Sequence, residues 1–196
     1  MPPRQFFHCY ETALGCCGIA WNERLALIGS QLPEENAGAT RDRMRARFPA
    51  ARELPLEPEL PALIQRAMAG VRALLAGQGR DAEVLLELEL DDSALPEFHR
   101  QVLALTRRIP LGQTLSYGEI AARLGQPGAA RAVGQAEGHN PFAPIVPCHR
   151  VLPSSGSRAR GGFSAHGGLA TKQRLLLIEA RATGQLGGEQ ASLFGA

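Results

Sequence analysis

Asn140-Pro141-Phe142-Ala143-Pro144-Ile145-Val146-Pro147-Cys148-His149-Arg150-Val151 is the stretch around which this 196-residue chain is organised. Proline fixes φ at its own position and biases the residue before it toward extended backbone. Pro141, Pro144 and Pro147 therefore predict a stiff, non-helical run that delivers Cys148 to one place. An imidazole and then a guanidinium follow the thiol, and a cysteine that only filled a core would need neither. Cys148 is a candidate nucleophile. An unperturbed thiol, with a pKa near about 8.5, is only a few per cent ionised at neutral pH, so a base or cation must stand close. His149 is the obvious candidate, but adjacent residues on an extended chain point apart. A bridging water or a local turn would connect the two, and a carboxylate on the other ring nitrogen would fix the tautomer. Glu179 fits that role if the last helix packs behind the loop.

Upstream, Thr114 to Gly138 has the shape of a helix-turn-helix. Ser116 can cap the first helix and Glu119, three residues on, completes a capping box. Gly125-Gln126-Pro127-Gly128 is the turn, and Ala129 to Glu137 is the second helix. That helix carries Ala129, Ala130, Ala132, Gly134 and Ala136, with Arg131 its only long basic side chain. A major-groove reader would show several Asn, Gln or Arg side chains on one face. This one suits close approach to a backbone or shallow groove, with one arginine thrust inward and little sequence preference. Helix pairs with this turn also occur in proteins that never touch DNA. Before it, Asp91-Asp92-Ser93 is a linker, with Ser93 or a neighbour capping a helix that has Pro96 in its first turn. After Cys148 come a loop rich in glycine, serine and arginine, Ser154 to Gly168, and a helix, Thr171 to Ala180. The tail from Arg181 lacks pattern, apart from Leu193-Phe194, which could dock on the body.

The first 90 or so residues differ in character. Phe6 to Thr12, Cys16 to Trp21 and Arg24 to Ile28 are expected as strands, and Glu34 to Arg47 as a surface helix. Pro49 to Pro58 is a connector, and Leu60 to Leu75 repeats apolar residues at helical spacing up to Gly77. Val84 to Leu90 alternates, which predicts a half-buried strand with Leu86, Leu88 and Leu90 inside. The expected fold is α+β: residues 1–92 a scaffold domain with a small antiparallel sheet and helices (ribonuclease H-like), residues 93–196 a mostly helical, winged-helix-like domain.

Composition is that of a globular protein, 44% hydrophobic and 20% charged. No apolar run is long enough for a membrane span and Met1-Pro2-Pro3-Arg4 does not start a signal peptide, so a cytoplasmic protein with no membrane partner is expected. From His99 to Arg160 eight arginines face only Glu119 and Glu137. Such a basic half is the footprint of a phosphate-backbone binder, or a solvated face with no partner. Cys9, Cys16 and Cys17 have no CxxC pairing for zinc, and small buried apolar residues is the better account of them.

The chain from Phe98 to Glu179 resembles the O6-alkylguanine-DNA alkyltransferases, the methylated-DNA–protein-cysteine methyltransferases. The resemblance rests on Pro147-Cys148-His149-Arg150-Val151, on Ile109 to Gly118, on Ala130-Arg131-Ala132-Val133-Gly134, and on the spacings from Tyr117 to Arg131, Asn140 and Cys148. It extends weakly over the hairpin region from Thr12 to Ile28. It implies binding of double-stranded DNA containing O6-alkylguanine through the minor groove, with Ala130, Gly134, Ser116, Asn140 and Arg150 near the DNA. Arg131 is then the finger that replaces an extruded nucleotide, and Asn140 the hinge between recognition helix and active-site loop. Cys148 attacks the alkyl carbon, while His149, Glu179 and a water take its proton. Tyr117 hydrogen-bonds or protonates the departing base, and Phe163, Ser164 and Val151 complete the base site. Phe163 stands where the family usually has a tyrosine, and the loop from Ser157 to Gly168 is longer than the common pattern. The resemblance implies one turnover, no metal or organic cofactor, and a monomer with no obligate protein partner. Two other classes are a lesion-binding or regulatory protein of the same fold and a cysteine hydrolase. The first would lack the nucleophile, and the second would need an oxyanion site and a separate histidine.

Overall fold

In the computed structural model, residues 4–78, 84–154 and 162–185 are described. Part of the loop expected at Ser154 to Gly168, and the docking expected of Leu193-Phe194, lie outside them.

Strands β1 (Gln5–Thr12) and β2 (Gly15–Asn22) form an antiparallel hairpin, with β3 (Leu27–Gln31) antiparallel to β2. Helix α1 (Ala37–Arg47), capped by the Asn36 side chain, lies across this hairpin, its Met44 filling the space that Gly18 leaves on β2. The connector after α1 is not featureless. Ala51–Glu53 pairs in parallel with β1 as β4, making the sheet order β3-β2-β1-β4. Helix α2 (Ala62–Leu75) buries Ile64, Met68, Val71 and Leu75 with Trp21, Ile19 and Leu27 of the sheet. The same core takes in Ile145 and Leu175 from the C-terminal half.

The strand expected at Val84 to Leu90 is absent. Residues 84–86 form a tight 3₁₀ turn, Leu85 and Leu88 are buried, and Leu86 is 58% exposed. Residues three apart share a face in such a turn, whereas alternate residues share one in a strand. The carbonyls of Leu85 and Leu88 accept from Arg107 Nη2 at 2.7 and 2.6 Å, so a side chain replaces a partner strand. Only Leu90 makes a bridge, with Leu27.

Helix α3 (Glu97–Arg107) starts from Pro96 as its N-cap without a side-chain cap. Ser93 instead donates from Oγ to Asp91 at 2.6 Å. A short strand β5 (Leu115–Ser116) leads into α4 (Tyr117–Arg123), and a turn into α5 (Ala130–Gly138). The capping box at Ser116 and Glu119 is formed in both directions. Val102, Ile120, Ala121, Val133 and Ala136 make the core of this helical half. Strand β6 (Val151–Leu152) pairs in parallel with β5, and α6 (Leu169–Ala182) closes the described fold.

Candidate active site

The Pro-rich run is a series of turns rather than an extended segment, and it is held from both sides. Asn140 Nδ2 donates to the Val146 carbonyl at 2.8 Å while its Oδ1 accepts from Phe142 N at 2.9 Å. From the sheet, Ser30 N donates to Pro141 O and Ser30 Oγ to Ala143 O, both at 2.9 Å. Arg47 Nη2 adds a bond to Pro141 O at 3.0 Å. Cys148–Arg150 then forms one 3₁₀ turn.

That turn decides where the three side chains go. At about 120° per residue, successive side chains in a 3₁₀ turn point in three directions. Cys148 faces a cavity, whereas His149 and Arg150 turn toward α6. His149 Nε2 lies 2.7 Å from Glu179 Oε1, with both side chains almost wholly buried. Arg150 bonds both oxygens of Glu179 through Nε, at 3.1 and 2.9 Å, and one again through Nη2 at 2.8 Å. Its Nη1 donates to Ile109 O at 2.5 Å. Gly112 N adds a bond to Glu179 at 3.1 Å.

The electrostatics assign the protons. Burial pushes the Glu179 carboxyl up, but hydrogen bonds and charges from His149 and Arg150 outweigh this and bring it down to about 2. Burial pushes His149 down, against the pull of Glu179, so its ring is neutral at pH 7. An ionised carboxylate only accepts, so Nε2 carries the imidazole proton and Nδ1 keeps its lone pair. Nδ1 is buried and has no partner among the described residues. Burial, with the charge of Glu137 adding to it, pushes the Cys148 thiol up to about 12, against Asn140 and Lys172, which act the other way. The resting thiol is protonated, so a base is required for its reaction.

Cys148 opens on a cavity of about 630 Å³ walled by α4, α5 and the segment Gly162–Ser164. Tyr117, Ala130, Arg131, Gly134, Phe163 and Ser164 are in its wall. A Cβ built at Gly134 would meet only the Tyr117 ring, at 3.9 Å, so internal packing does not demand glycine there. Arg131 is exposed at the rim and has no ion-pair partner among the described residues. Burial, then the Glu137 charge, raises the Tyr117 hydroxyl, which is a proton donor at neutral pH.

Three comparisons with known proteins bear on this arrangement. Residues 97–181 match the model of the 6-O-methylguanine DNA methyltransferase DNA-binding domain. In the crystal structure of the Mycobacterium tuberculosis O6-methylguanine methyltransferase, the match spans 97% of this chain and 99% of that one, with TM-score 0.65 and 29% identity. The structure of the same organism's protein in complex with DNA matches at TM-score 0.63 and 30% identity, over 96% and 99% of the two chains. The methylated-DNA–protein-cysteine methyltransferase of Mycolicibacterium paratuberculosis is 49% identical over 118 residues, which is 59% of this chain and 67% of that protein. The chain belongs to the methylated-DNA–protein-cysteine methyltransferase family.

Within this family member, most expected site residues converge on Cys148. Tyr117, Ala130, Arg131, Gly134, Phe163 and Ser164 share its cavity, and Asn140 borders a smaller adjoining one of about 350 Å³. His149 and Glu179 stand behind the thiol. Ser116 serves as the N-cap of α4, accepting from Glu119 N at 3.1 Å. Two expectations are corrected. Arg150 does not face outward toward DNA, because its position in the 3₁₀ turn sends it into the fold as the partner of Glu179. Val151 is fully buried in the helical core and is not among the residues of the cavity wall, and its carbonyl accepts from Lys172 Nζ at 2.6 Å.

Two site residues were not expected. Lys172 is buried, with Nζ 3.5 Å from the Tyr117 hydroxyl and 5.7 Å from the centroid of its ring. It is the chain's single lysine among 21 basic residues, a compositional signal that pointed to no place. Glu137 is buried in the cavity wall, bonded to Thr106 Oγ1 at 2.5 Å. Its signal was an acid on the buried face of a small-residue helix. No helix among the described residues is long and apolar enough to cross a membrane.

Proposed function

We propose that this protein reverses DNA alkylation directly, moving the O6-alkyl group of guanine, and the O4-alkyl group of thymine, onto Sγ of Cys148. The observation that carries this reading is a buried thiol opening on a base-sized cavity, with a neutral imidazole and an ionised carboxylate behind it. The proton of Cys148 passes, through a water, to Nδ1 of His149, and Glu179 stabilises the imidazolium that forms. The thiolate then attacks the alkyl carbon in line. The C–S bond forms as the C–O6 bond breaks, and the electron pair leaves with the base. The Tyr117 hydroxyl, directed into the same cavity, hydrogen-bonds or protonates the departing base. The product is a thioether, which none of these groups can hydrolyse. Each chain acts once.

An alkyl carbon inside a stacked duplex is out of reach of a cavity-bound thiol, so the nucleotide must leave the stack. The exposed Arg131 at the rim is suited to fill the gap. Ala130, Gly134 and Gly138 keep the outer face of α5 low, which favours a minor-groove approach governed by backbone contacts rather than base edges. The reaction draws on no metal or organic cofactor, and a monomer suffices because every group named belongs to one chain. Incubation with duplex DNA carrying O6-methylguanine tests the reading. Intact mass and peptide mapping should place one methyl group on Cys148, with guanine restored in the DNA. Unmodified protein beside unrepaired DNA would overturn it.

A further inference from the structure

The repair chemistry proposed above makes no use of Glu137, yet this residue shares a wall with the nucleophile. Glu137 is 5% exposed and is the only acidic side chain among the described residues lining the cavity of Cys148. Thr106 occupies Oε1, while Oε2 is buried with no partner among the described residues. A buried polar atom left unsatisfied in a native fold calls for a reason, and a reactive site is a common one. The groups around it come from every packed element. Thr106 is on α3, whose His99 lies tilted against His139, the residue that ends α5, and Tyr117 is on α4. Lys172 is on α6, Cys148 is in the 3₁₀ turn, and Arg131 is on α5 itself. Of these, Lys172 is the one whose charge acts on Glu137, and the same ammonium is pulled by Cys148. One cation therefore serves two acids, and two anions in one poorly solvated pocket oppose each other.

We propose that Glu137 is a positioning residue for the reacting thiol that acts through charge: its anion holds Cys148 protonated, and its neutralisation frees the thiolate. The proposal rests on the reading of Cys148 as the alkyl acceptor but is tested on thiol reactivity alone. Burial raises the Glu137 carboxyl to about 7, against Thr106 and Lys172, so its charge changes across neutral pH. Thiolate formation in the native protein should consequently rise less steeply above pH 7 than an isolated thiol would. In Glu137→Gln that restraint is gone.

The experiment follows carboxamidomethylation of Cys148 by iodoacetamide, read by peptide mass from pH 5.5 to 8.5, beside reaction with free O6-benzylguanine. At pH 5.5, where native Glu137 is protonated, the variant and native rates should agree. At pH 8.5 Glu137→Gln should react at least about threefold faster, an effect of roughly 0.6 kcal/mol. Glu137→Asp should retain the flattened profile. Thr106→Val removes the bond that favours the anion, so its flattening should begin at higher pH. Equal or slower reaction of a folded Glu137→Gln at pH 8.5, or an unmoved profile in Thr106→Val, would overturn the proposal. Loss of the benzylguanine reaction alone, with the iodoacetamide profile as predicted, would count against the alkyl-transfer reading and leave this one standing.

Discussion

Glu179 concentrates more of the site's energetics than Cys148 does. It accepts from His149, Arg150 and the Gly112 amide inside the fold, so removing its charge leaves a guanidinium buried without its counter-charge. Breaking one side of such a buried pair costs about 3–5 kcal/mol, and Glu179→Gln should show a loss of that order in urea unfolding. Its alkyl-transfer rate should also fall, because the imidazolium loses its stabiliser. The carboxyl is depressed in the fold to about 2, so its stabilisation is fully present above the unfolded value and is lost as pH falls toward 2. Glu137 has the opposite sign. It is raised to about 7, so native stability declines as pH rises from the unfolded value to 7. Unfolding at pH 8 should find Glu137→Gln more stable than the native chain, by up to roughly 3 kcal/mol, with the gain vanishing at pH 4. A gain that persists at pH 4 would mean that packing, not charge, is responsible.

Among the elements, α4 and α5 were legible in sequence because their signals are local. A capping box spans four residues, and the turn glycines Gly125 and Gly128 both take positive φ. Ser116→Ala should therefore cost about 1 kcal/mol of stability, measured by denaturant unfolding. The segment from Val84 to Leu90 does alternate, but so short a run does not specify a strand, and the turn buries Leu85 and Leu88 and exposes Leu86. Its backbone partner is the side chain of Arg107, about twenty residues on, which no window over the segment contains. The direction of Arg150 was hidden for a related reason. Whether a residue two positions after Cys148 faces out or in depends on the turn type, and proline spacing does not specify a 3₁₀ turn. The function assigned to α5 has its own test. Arg131→Ala should slow repair of duplex DNA by about tenfold or more, roughly 1.4 kcal/mol, and slow reaction with free O6-benzylguanine far less. Equal losses on both substrates would contradict a role in the base stack.

At the scale of the molecule, the N-terminal sheet is tied to the active-site loop. Ser30 and Arg47 grip the carbonyls of Pro141 and Ala143, and Ile145 is packed into the sheet's own core. In sequence Arg47 is only one of four arginines in a polar helix, since its partners lie 16 and 17 residues back, on β3, and 94 residues on, at Pro141. Arg47→Ala should leave the Pro141 carbonyl with the Ser30 amide alone and remove the guanidinium's bonds to Ser30 O and Gln31 Oε1, at a cost of about 1–3 kcal/mol. It should also slow free O6-benzylguanine at Cys148, a substrate that needs no DNA contact. An unchanged rate would reduce the N-terminal half to passive support. On the proposed function, the thiol at the centre of this scaffold is consumed by its own reaction. The direct measurement is stoichiometry: methyl transferred per chain with O6-methylguanine duplex in large excess. Transfer should stop at one methyl per chain, all of it on Cys148 and stable on prolonged incubation. Continued turnover, or methyl found elsewhere, would contradict it.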